Sequence, residues 1–338
     1  MKEKKTVSFS KNSTNIFFHI LTNCNLNCLH CYINKKQHGN TTLSIDIIKA
    51  WLDAFAAKSK IANVVFLGGE PTLHPDLSQA VKYAIKIGYK SVTVDTNGYL
   101  FNEFLSKIEP KDIDYISFSL DGATSTTNDK IRGKGSYDKC VSGIKSSVSK
   151  GFNTSLIYTV SSANIDELAK MEPLLSDLKI GRFFIQVIGI RGKTAKGTSV
   201  EGVNNPQVLR EKWVDTIPII AEKIAEHGII VTYPKVFLEP DDKFECAGLV
   251  ADNYFIFPNK RVYRCPLCED YPIHGMEFSG NELVQTAKIN ETDLFKLSIP
   301  EGCVMNKLIQ PGNLSYNPDG SPEYKIACCL LKEEIRKS

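Results

Sequence analysis

The chain has 338 residues, of which 42% are hydrophobic and 23% are charged, a composition typical of a soluble globular protein. Its net charge of +3 is too small to indicate a nucleic-acid partner. No segment has 18 uninterrupted apolar residues, and the first residues lack the apolar run of a signal peptide. We therefore expect a cytoplasmic protein that does not span a membrane.

Strand-like and helix-like segments alternate from residue 15 to residue 233. No motif repeats among them, so they do not form a repeat array. Six alternations predict a parallel sheet with right-handed crossovers, an incomplete (β/α)6 TIM-type barrel that is open on one side to admit a large substrate. The predicted strands start at Asn15 and then cover 63–67, 91–94, 114–120, 154–160, 182–188 and 229–233, and the predicted helices cover 44–58, 77–87, 101–108, 137–150, 165–178 and 207–227.

The sequence changes character after the predicted barrel. Residues 191–206 form a polar linker, and residues 254–257 and 261–265 have the pattern of a hairpin. The segments beyond residue 269 are short and irregular, which suits a small domain held by a metal cluster. We predict an α/β fold with an N-terminal extension over 1–14, a barrel over 15–235 and a small C-terminal domain, made of a β-hairpin and irregular segments, over 236–338.

The ten cysteines fall into groups, which favours metal or iron–sulfur ligation in a reducing compartment over a disulfide framework. Cys24, Cys28 and Cys31 follow the first strand with the spacing C-x3-C-x2-C, one thiol fewer than a closed four-thiolate site needs. A zinc site remains an alternative, although zinc sites usually have two C-x2-C pairs and the next cysteine here is the distant Cys140. Cys140 lies in a helical pattern, where we expect a buried, small apolar residue.

This cysteine motif, followed by Gly68-Gly69-Glu70-Pro71 at the end of the second predicted strand, resembles the radical S-adenosylmethionine (SAM) superfamily over residues 15–200. The resemblance implies a [4Fe–4S] cluster on Cys24, Cys28 and Cys31, with the fourth iron bound by SAM. It implies cleavage of SAM to a 5′-deoxyadenosyl radical that abstracts hydrogen from a substrate. It also implies a flavodoxin- or ferredoxin-type electron donor.

The same resemblance implies contacts to SAM from the ends of the other strands. The two glycines would let the backbone approach the methionyl group, and Glu70 would accept a hydrogen bond from its ammonium group. Ser119 and Arg132 would bind the carboxylate, since arginine pairs with carboxylates through two parallel hydrogen bonds. Thr96 and Asn97 would contact cofactor or substrate, or simply form a turn. The complete predicted set is His30, Gly68, Gly69, Glu70, Thr96, Asn97, Ser119, Asp121, Arg132, Gln186 and Val187.

The C-terminal cysteines resemble the auxiliary-cluster extensions of this superfamily, named SPASM and Twitch. Cys246 precedes the hairpin, and Cys265 and Cys268 follow it, with Lys260 at the turn position where the pattern has glycine. The later cysteine array of a full SPASM domain is absent, so we expect one auxiliary [4Fe–4S] cluster. A structural zinc site is the alternative.

The fourth ligand of the auxiliary cluster is open at this stage. It would be Cys303, Cys328, Cys329 or a substrate atom. Because adjacent residues rarely reach one cluster together, we expect at most one of Cys328 and Cys329 to ligate. The other is a candidate hydrogen-atom donor.

The predicted function is that of a radical SAM enzyme acting on a peptide or protein side chain by oxidation, cross-linking or epimerisation. An enzyme of small-molecule or cofactor biosynthesis is the first alternative. Many peptide-modifying members have a leader-binding domain before the barrel, and a first strand near Asn15 leaves no room for one. The alternative of another class is a non-enzymatic zinc or iron–sulfur scaffold or redox sensor.

Overall fold

A computed structural model describes residues 2–58, 60–195, 206–239 and 241–337. Most of the linker predicted over 191–206 therefore lies outside the described residues. The strands are β1 (Lys2–Val7), β2 (Thr14–His19), β3 (Ala62–Leu67), β4 (Ser91–Thr96), β5 (Tyr115–Ser119), β6 (Thr154–Val160), β7 (Arg182–Val187), β8 (Ile230–Pro234), β9 (Phe237–Leu238), β10 (Asp252–Ile256), β11 (Arg261–Tyr263), β12 (Met276–Ser279), β13 (Glu282–Gln285), β14 (Lys325–Ile326) and β15 (Lys332–Lys337).

Helices connect the strands and cover the sheet. Short 3-10 helices occur at Pro71–Leu73, Pro110–Asp112, Ile165–Lys170, Gly192–Thr194, Pro266–Cys268 and Pro311–Asn313. The α-helices are α1 (Lys35–His38), α2 (Ile45–Ala56), α3 (Leu77–Lys86), α4 (Phe104–Lys107), α5 (Ser125–Arg132), α6 (Ser136–Ser149), α7 (Met171–Asp177), α8 (Arg210–Glu226), α9 (Ala247–Val250), α10 (Glu291–Phe295) and α11 (Val304–Ile309).

Strands β2 to β8 pair in parallel and in sequence order, which confirms the predicted partial barrel. Alternate residues of each strand point to the helices and bury apolar side chains, as Val64 and Phe66 do on β3. Six strand–helix units precede β8. The sheet does not close within the described residues, because β1 and β13 lie at its two ends.

Both edges of the barrel are extended by segments from outside residues 15–235. On one side, β10 pairs in parallel with β2, so that Asp252 lies beside Thr14, and the β10–β11 hairpin follows. On the other side, β15 pairs with β8 and with β1, which forms within the predicted N-terminal extension. One thirteen-stranded sheet therefore contains strands from all three predicted domains. The division at residue 235 stays a prediction.

Two predicted helices are shorter than their hydrophobic patterns indicate. The helix predicted over 101–108 is only the four-residue α4. Asn102 and Glu103 have positive φ angles, so the right-handed helix cannot begin before Phe104. The helix predicted over 165–178 divides into a 3-10 segment and α7. Pro173 lies in the first turn of α7, where its missing N–H is tolerated, but its ring would clash inside a longer α-helix.

Across the described part of the chain, no helix has both the length and the apolar character needed to cross a bilayer.

Candidate functional site

The first cysteine group lies on the loop that leaves β2, at the carboxyl ends of the parallel strands. Cys24, Cys28 and Cys31 are all partly exposed, and the N–H of Leu26 donates to Cys24 Sγ at 3.4 Å. Burial, with smaller contributions from the nearby Glu70, Cys28 and Cys31, raises the pKa of the Cys24 thiol to about 12. The three thiols therefore lie close enough to influence one another.

The donor set of this loop fits a [4Fe–4S] cluster that has one iron without a protein ligand. Within the ranges that the structure describes, no three cysteine, histidine or carboxylate side chains converge as the ligands of a single ion do. Each thiolate of a [4Fe–4S] site binds a different iron atom, so such ligands lie further apart than those of one zinc ion. Cys24, Cys28 and Cys31 are the residues that could hold the cluster.

The two glycines after β3 allow the cysteine loop to lie directly against this strand end. A Cβ atom at Gly69 would lie 2.2 Å from the carbonyl oxygen of Asn23, and one at Gly68 would lie 2.9 Å from that of Leu21. The N–H of Gly69 donates to Leu21 O at 3.0 Å. Contact with the cysteine loop is thus one reason for the two glycines, and their predicted role in the approach of SAM stays a prediction.

Glu70 joins two strand ends. Its Oε1 accepts hydrogen bonds from the N–H and hydroxyl of Thr72 and from the hydroxyl of Thr96, at 3.0, 2.5 and 2.8 Å. Its Oε2 accepts from the N–H of Asn97 at 2.8 Å. Burial raises the pKa of Glu70 despite these donors. Oε2 has only this one partner among the described residues, so it could accept a further donor.

Asn97 connects β4 to the cysteine loop. Its Nδ2 donates to Asn25 Oδ1 at 2.8 Å and lies 3.8 Å from Cys24 Sγ. Thr96 and Asn97 therefore hold the loop and Glu70 in place, which goes beyond the simple turn that we considered for them.

Asp121 lies at the centre of a buried group of charged side chains. It is 0% exposed, and its Oδ2 lies 2.6 Å from Arg132 Nε and 3.2 Å from His30 Nε2. Burial would lower the pKa of Arg132, but the charge of Asp121, its hydrogen bond and the nearby Cys28 together raise the pKa and keep the guanidinium charged. Burial lowers the pKa of His30. Asp121 thus orients Arg132 and His30 from below the surface, so its placement favours a supporting role over direct contact with a ligand.

The remaining predicted SAM contacts lie at the same edge of the sheet. Ser119 ends β5 and is partly buried, Gln186 is exposed near the end of β7, and Val187 beside it is partly buried. Their position is compatible with a ligand that spans several strand ends. The buried position of Cys140, against Gly98, agrees with its predicted packing role.

The second cysteine group brings six thiols together. Five of them line one enclosed cavity, and the sixth, Cys268, is hydrogen-bonded to Cys265. Lys260 has φ = 74° at the hairpin turn, a conformation that glycine favours, which agrees with its position in the Twitch-like pattern. The cysteines of the cavity are Cys246, Cys265, Cys303, Cys328 and Cys329.

Both adjacent cysteines reach this cavity. The thiol of Cys329 is hydrogen-bonded to those of Cys265 and Cys328. Burial raises the pKa of Cys303 to about 12 and that of Cys246 to about 11. The structure thus offers more thiols than one cluster needs and does not select the fourth ligand.

Arg191 and its neighbours, which the sequence analysis treated as a linker, connect the two cysteine groups. The Arg191 guanidinium forms an ion pair with Glu269, donates to Pro266 O at 2.8 Å and lies 4.4 Å from the ring centroid of Tyr32. Tyr32 follows Cys31, and Glu269 follows Cys268. The only feature of the sequence that could have indicated this role of Arg191 is its position just beyond the end of a strand.

Comparisons with known proteins agree with this geometry. Residues 19–174 match the family model described as Radical SAM superfamily. Fe-coproporphyrin III synthase of Methanosarcina barkeri (strain Fusaro / DSM 804) is 32% identical over 232 residues, which are 67% of this chain and 54% of that protein. A probable GTP 3′,8-cyclase of Saccharolobus solfataricus is 31% identical over 163 residues, 48% of this chain and 53% of that protein. The chain spans about half the length of these curated relatives.

Solved structures share the fold. Streptococcus suis SuiB superposes with a TM-score of 0.62 at 13% identity, over 88% of this chain and 68% of SuiB. Native anSMEcpe with bound AdoMet gives a TM-score of 0.60 at 13% identity, over 88% of this chain and 83% of that one. The matched residues 19–174 include the three-cysteine loop and the glycine turn, and the superfamily implies a [4Fe–4S] cluster and SAM. The chain is therefore a member of the radical SAM superfamily, whose model its residues 19–174 match.

Proposed function

We propose that this enzyme cleaves SAM reductively at a cluster held by Cys24, Cys28 and Cys31 and uses the resulting radical to abstract hydrogen from a peptide or protein side chain. The observation that carries the first part is the loop of three partly exposed thiols, held against Gly69 and Glu70 at the strand ends. When bound, the cluster and SAM supply a 5′-deoxyadenosyl radical.

The residues around the loop bind and orient the ligands. Glu70 accepts a hydrogen bond from the SAM ammonium through Oε2, while its other oxygen keeps β3 and β4 together. Arg132, held by Asp121, presents charge for the SAM carboxylate at the end of α5. Ser119 binds the same carboxylate from the end of β5, and Gln186 and Val187 at the end of β7 contact the rest of SAM.

An auxiliary [4Fe–4S] cluster in the second cysteine group completes the proposal. Cys246, Cys265 and Cys268 are three of its ligands, and one of Cys303, Cys328 and Cys329 is the fourth. The convergence of these thiols on one enclosed space supports this arrangement, since thiolates are the usual ligands of such clusters.

Two observations bear on the substrate. The fold likeness to SuiB covers 88% of the chain, and a SuiB structure contains the precursor peptide SuiA, which favours a peptide. The curated relatives are named as enzymes of small molecules, a tetrapyrrole synthase and a nucleotide cyclase, which favours a small-molecule substrate as the second candidate.

The test of SAM cleavage is anaerobic reconstitution with iron and sulfide, followed by dithionite and SAM. We expect release of 5′-deoxyadenosine, and a flavodoxin or ferredoxin should replace dithionite. The matched control is the chain with alanine at the three cysteines of the loop. Absence of 5′-deoxyadenosine from fully reconstituted protein would rule out the proposal, and zinc without iron after anaerobic purification would support a scaffold instead.

The two substrate classes are separated by deuterium transfer. Soluble extract from deuterium-grown cells, which contains peptides, proteins and small molecules, is added to the reconstituted enzyme, and deuterium in 5′-deoxyadenosine is measured by mass spectrometry. If the substrate is a peptide, prior digestion of the extract with a nonspecific protease abolishes the transfer. Transfer that survives digestion indicates a small molecule.

A further inference from the structure

The two faces of the parallel sheet differ in polarity. On β4, Val92 and Val94 point to the helices and are 0% exposed, while the alternate Thr93 and Asp95 face the opposite, inner side and remain partly accessible. TIM barrels normally fill this inner side with branched apolar residues. Here it includes several polar side chains, among them Asn15, Asn63, Thr93, Asp95, Ser117 and Thr159.

Some of these polar groups satisfy each other. The Asn63 amide donates to Asn15 Oδ1 at 2.9 Å, and the Asn15 amide donates to Asn253 Oδ1 at 3.0 Å. This row lies near the start of the strands, far from the cysteine loop. It is a self-contained amide chain and offers little to a ligand.

Asp95 differs from this row in its partners. It lies opposite Ser117 of β5, whose hydroxyl donates to it. No lysine, arginine or histidine among the described residues forms an ion pair with it. Burial raises the pKa of Asp95 to about 7, and the nearby Glu70 acts in the same direction. A charged carboxylate at this depth is costly without a cation.

The other buried carboxylates of the site do have compensating partners. Glu70 accepts four hydrogen bonds, and Asp121 contacts Arg132 and His30. Asp95 lies one residue before Thr96 and influences Tyr32, the residue after Cys31. It therefore points into the interior directly beneath the loops where the radical would form.

We propose that Asp95 binds a cationic nitrogen of the substrate, an alkylammonium or guanidinium group, on the inner face of the sheet. This inference rests on the proposed function, because it places the substrate beneath the SAM site. A cation that enters this space gains a buried ion pair and replaces the missing partner of the carboxylate. Lysine and arginine side chains, N-terminal amines and basic small molecules all share this chemistry.

The test measures binding of n-butylammonium chloride and of 1-butanol, which matches it in heavy atoms, to the reconstituted enzyme with SAM at pH 8 by calorimetry. We expect the ammonium to bind at least about tenfold more tightly than the alcohol, a difference of about 1.4 kcal/mol. Asp95→Asn should remove this preference, and Asp95→Glu should keep part of it. Asp53→Asn, which removes an exposed carboxylate on α2, should leave it unchanged.

Several outcomes would overturn the inference. They are the absence of a preference in the wild-type enzyme, a preference that survives in Asp95→Asn, and a tenfold loss of SAM affinity in Asp95→Asn, which would assign the carboxylate to the SAM ammonium. Release of 5′-deoxyadenosine without substrate is measured in parallel for wild type and Asp95→Asn, and we expect it from both. If neither protein releases 5′-deoxyadenosine, the proposed function fails. The calorimetric comparison tests independently whether Asp95 binds a cation.

Discussion

The two cysteine groups differ in number, exposure and surroundings. The three thiols of the first group are partly exposed and lie among polar side chains such as Asn97 and Glu70. Five of the six thiols of the second group line a cavity whose walls include Phe244, Phe295 and Leu330. An open, polar site that is short of ligands suits exchange of a bound molecule, whereas an enclosed, apolar site with surplus ligands suits a group that stays bound. Solvent access and dielectric also set the reduction potential of such clusters.

The largest expected effect comes from removing either group. Alanine at Cys24, Cys28 and Cys31 should lower the iron content by about four atoms per chain and reduce SAM cleavage to background. Alanine at Cys265 and Cys268 should lower the iron content by a similar amount. It should not change the SAM cleavage that is measured in the absence of substrate, because the first loop remains intact. Iron analysis and 5′-deoxyadenosine quantification check both.

Cys140→Ala is the control for this comparison. Cys140 is a buried residue of α6 that packs against the turn at Gly98 and belongs to neither cysteine group, so its loss should leave the iron content unchanged. Equal loss of SAM cleavage in both cysteine variants would show that the two groups do not act separately.

A smaller effect is expected from the connection between the groups. Arg191→Met leaves Glu269 buried without its cation, and we expect a loss of about 3–5 kcal/mol in the free energy of unfolding. The double variant Arg191→Met/Glu269→Gln should recover part of this loss, because it removes the unpaired charge as well. Denaturant unfolding of all three proteins measures the coupling.

The exposed ion pair of Lys212 and Asp166 is the matched control, and Lys212→Met should change stability little. If Arg191→Met lowers the free energy of unfolding as little as Lys212→Met does, the Arg191–Glu269 pair does not hold the two groups together.

The smallest effect concerns the pH dependence of the packing between the groups. His38 is buried against Phe257. Its Nδ1 accepts a hydrogen bond from the N–H of Asn34, and its Nε2 donates one to Glu269 O. Burial lowers its pKa from 6.5 to about 4. The unfolded chain therefore binds the proton more readily, and stability falls as the pH drops from about 6.5 towards 4. At pH 5 the cost is about 2 kcal/mol.

Urea unfolding at pH 7.5 and 5.0 checks this. His38→Gln should reduce the difference between the two conditions, while substitution of the half-exposed His227 should not. His19, whose pKa burial lowers to about 3, adds to the loss in the same direction. Asp95, whose pKa burial raises to about 7, acts in the opposite direction, because the folded chain binds its proton more readily and is stabilised as the pH drops. An equal pH dependence in wild type and His38→Gln would contradict the tautomer and burial assigned to His38.

Local patterns in the sequence predicted the barrel well because each strand–helix unit is defined by its own periodicity. The run 63–67, for example, is apolar, short and followed by glycines, and it forms β3. The pairing of β10 with β2 could not be predicted in this way, since it joins residues far apart in the sequence. The strand β1 has a charged sequence and depends on its pairing with β15.

Those parts of the candidate site that a sequence motif defines could be predicted. The parts that depend on contacts between distant segments could not. The cysteine spacing indicated three ligands on one loop. The reason for Gly69 required knowing that Asn23 lies against it. Both Cys328 and Cys329 line one cavity, which their adjacency in the sequence did not indicate, and Cys329 is hydrogen-bonded to Cys265 and to Cys328. That at most one of them is a cluster ligand stays a prediction.

The pairing of β10 with β2 also sets an order for maturation. In a barrel that ended at β8, β2 would be an edge strand with open hydrogen-bonding groups, exposed to pairing with other chains. Here that edge is covered by residues made long after β2 leaves the ribosome, since Asp252 pairs with Thr14. The loop from Cys24 to Cys31 thus completes its surroundings only when most of the chain has been synthesised. Insertion of iron and sulfide into the finished site is then a late step, and the nascent chain must keep both its open edge and its free thiols protected until that point.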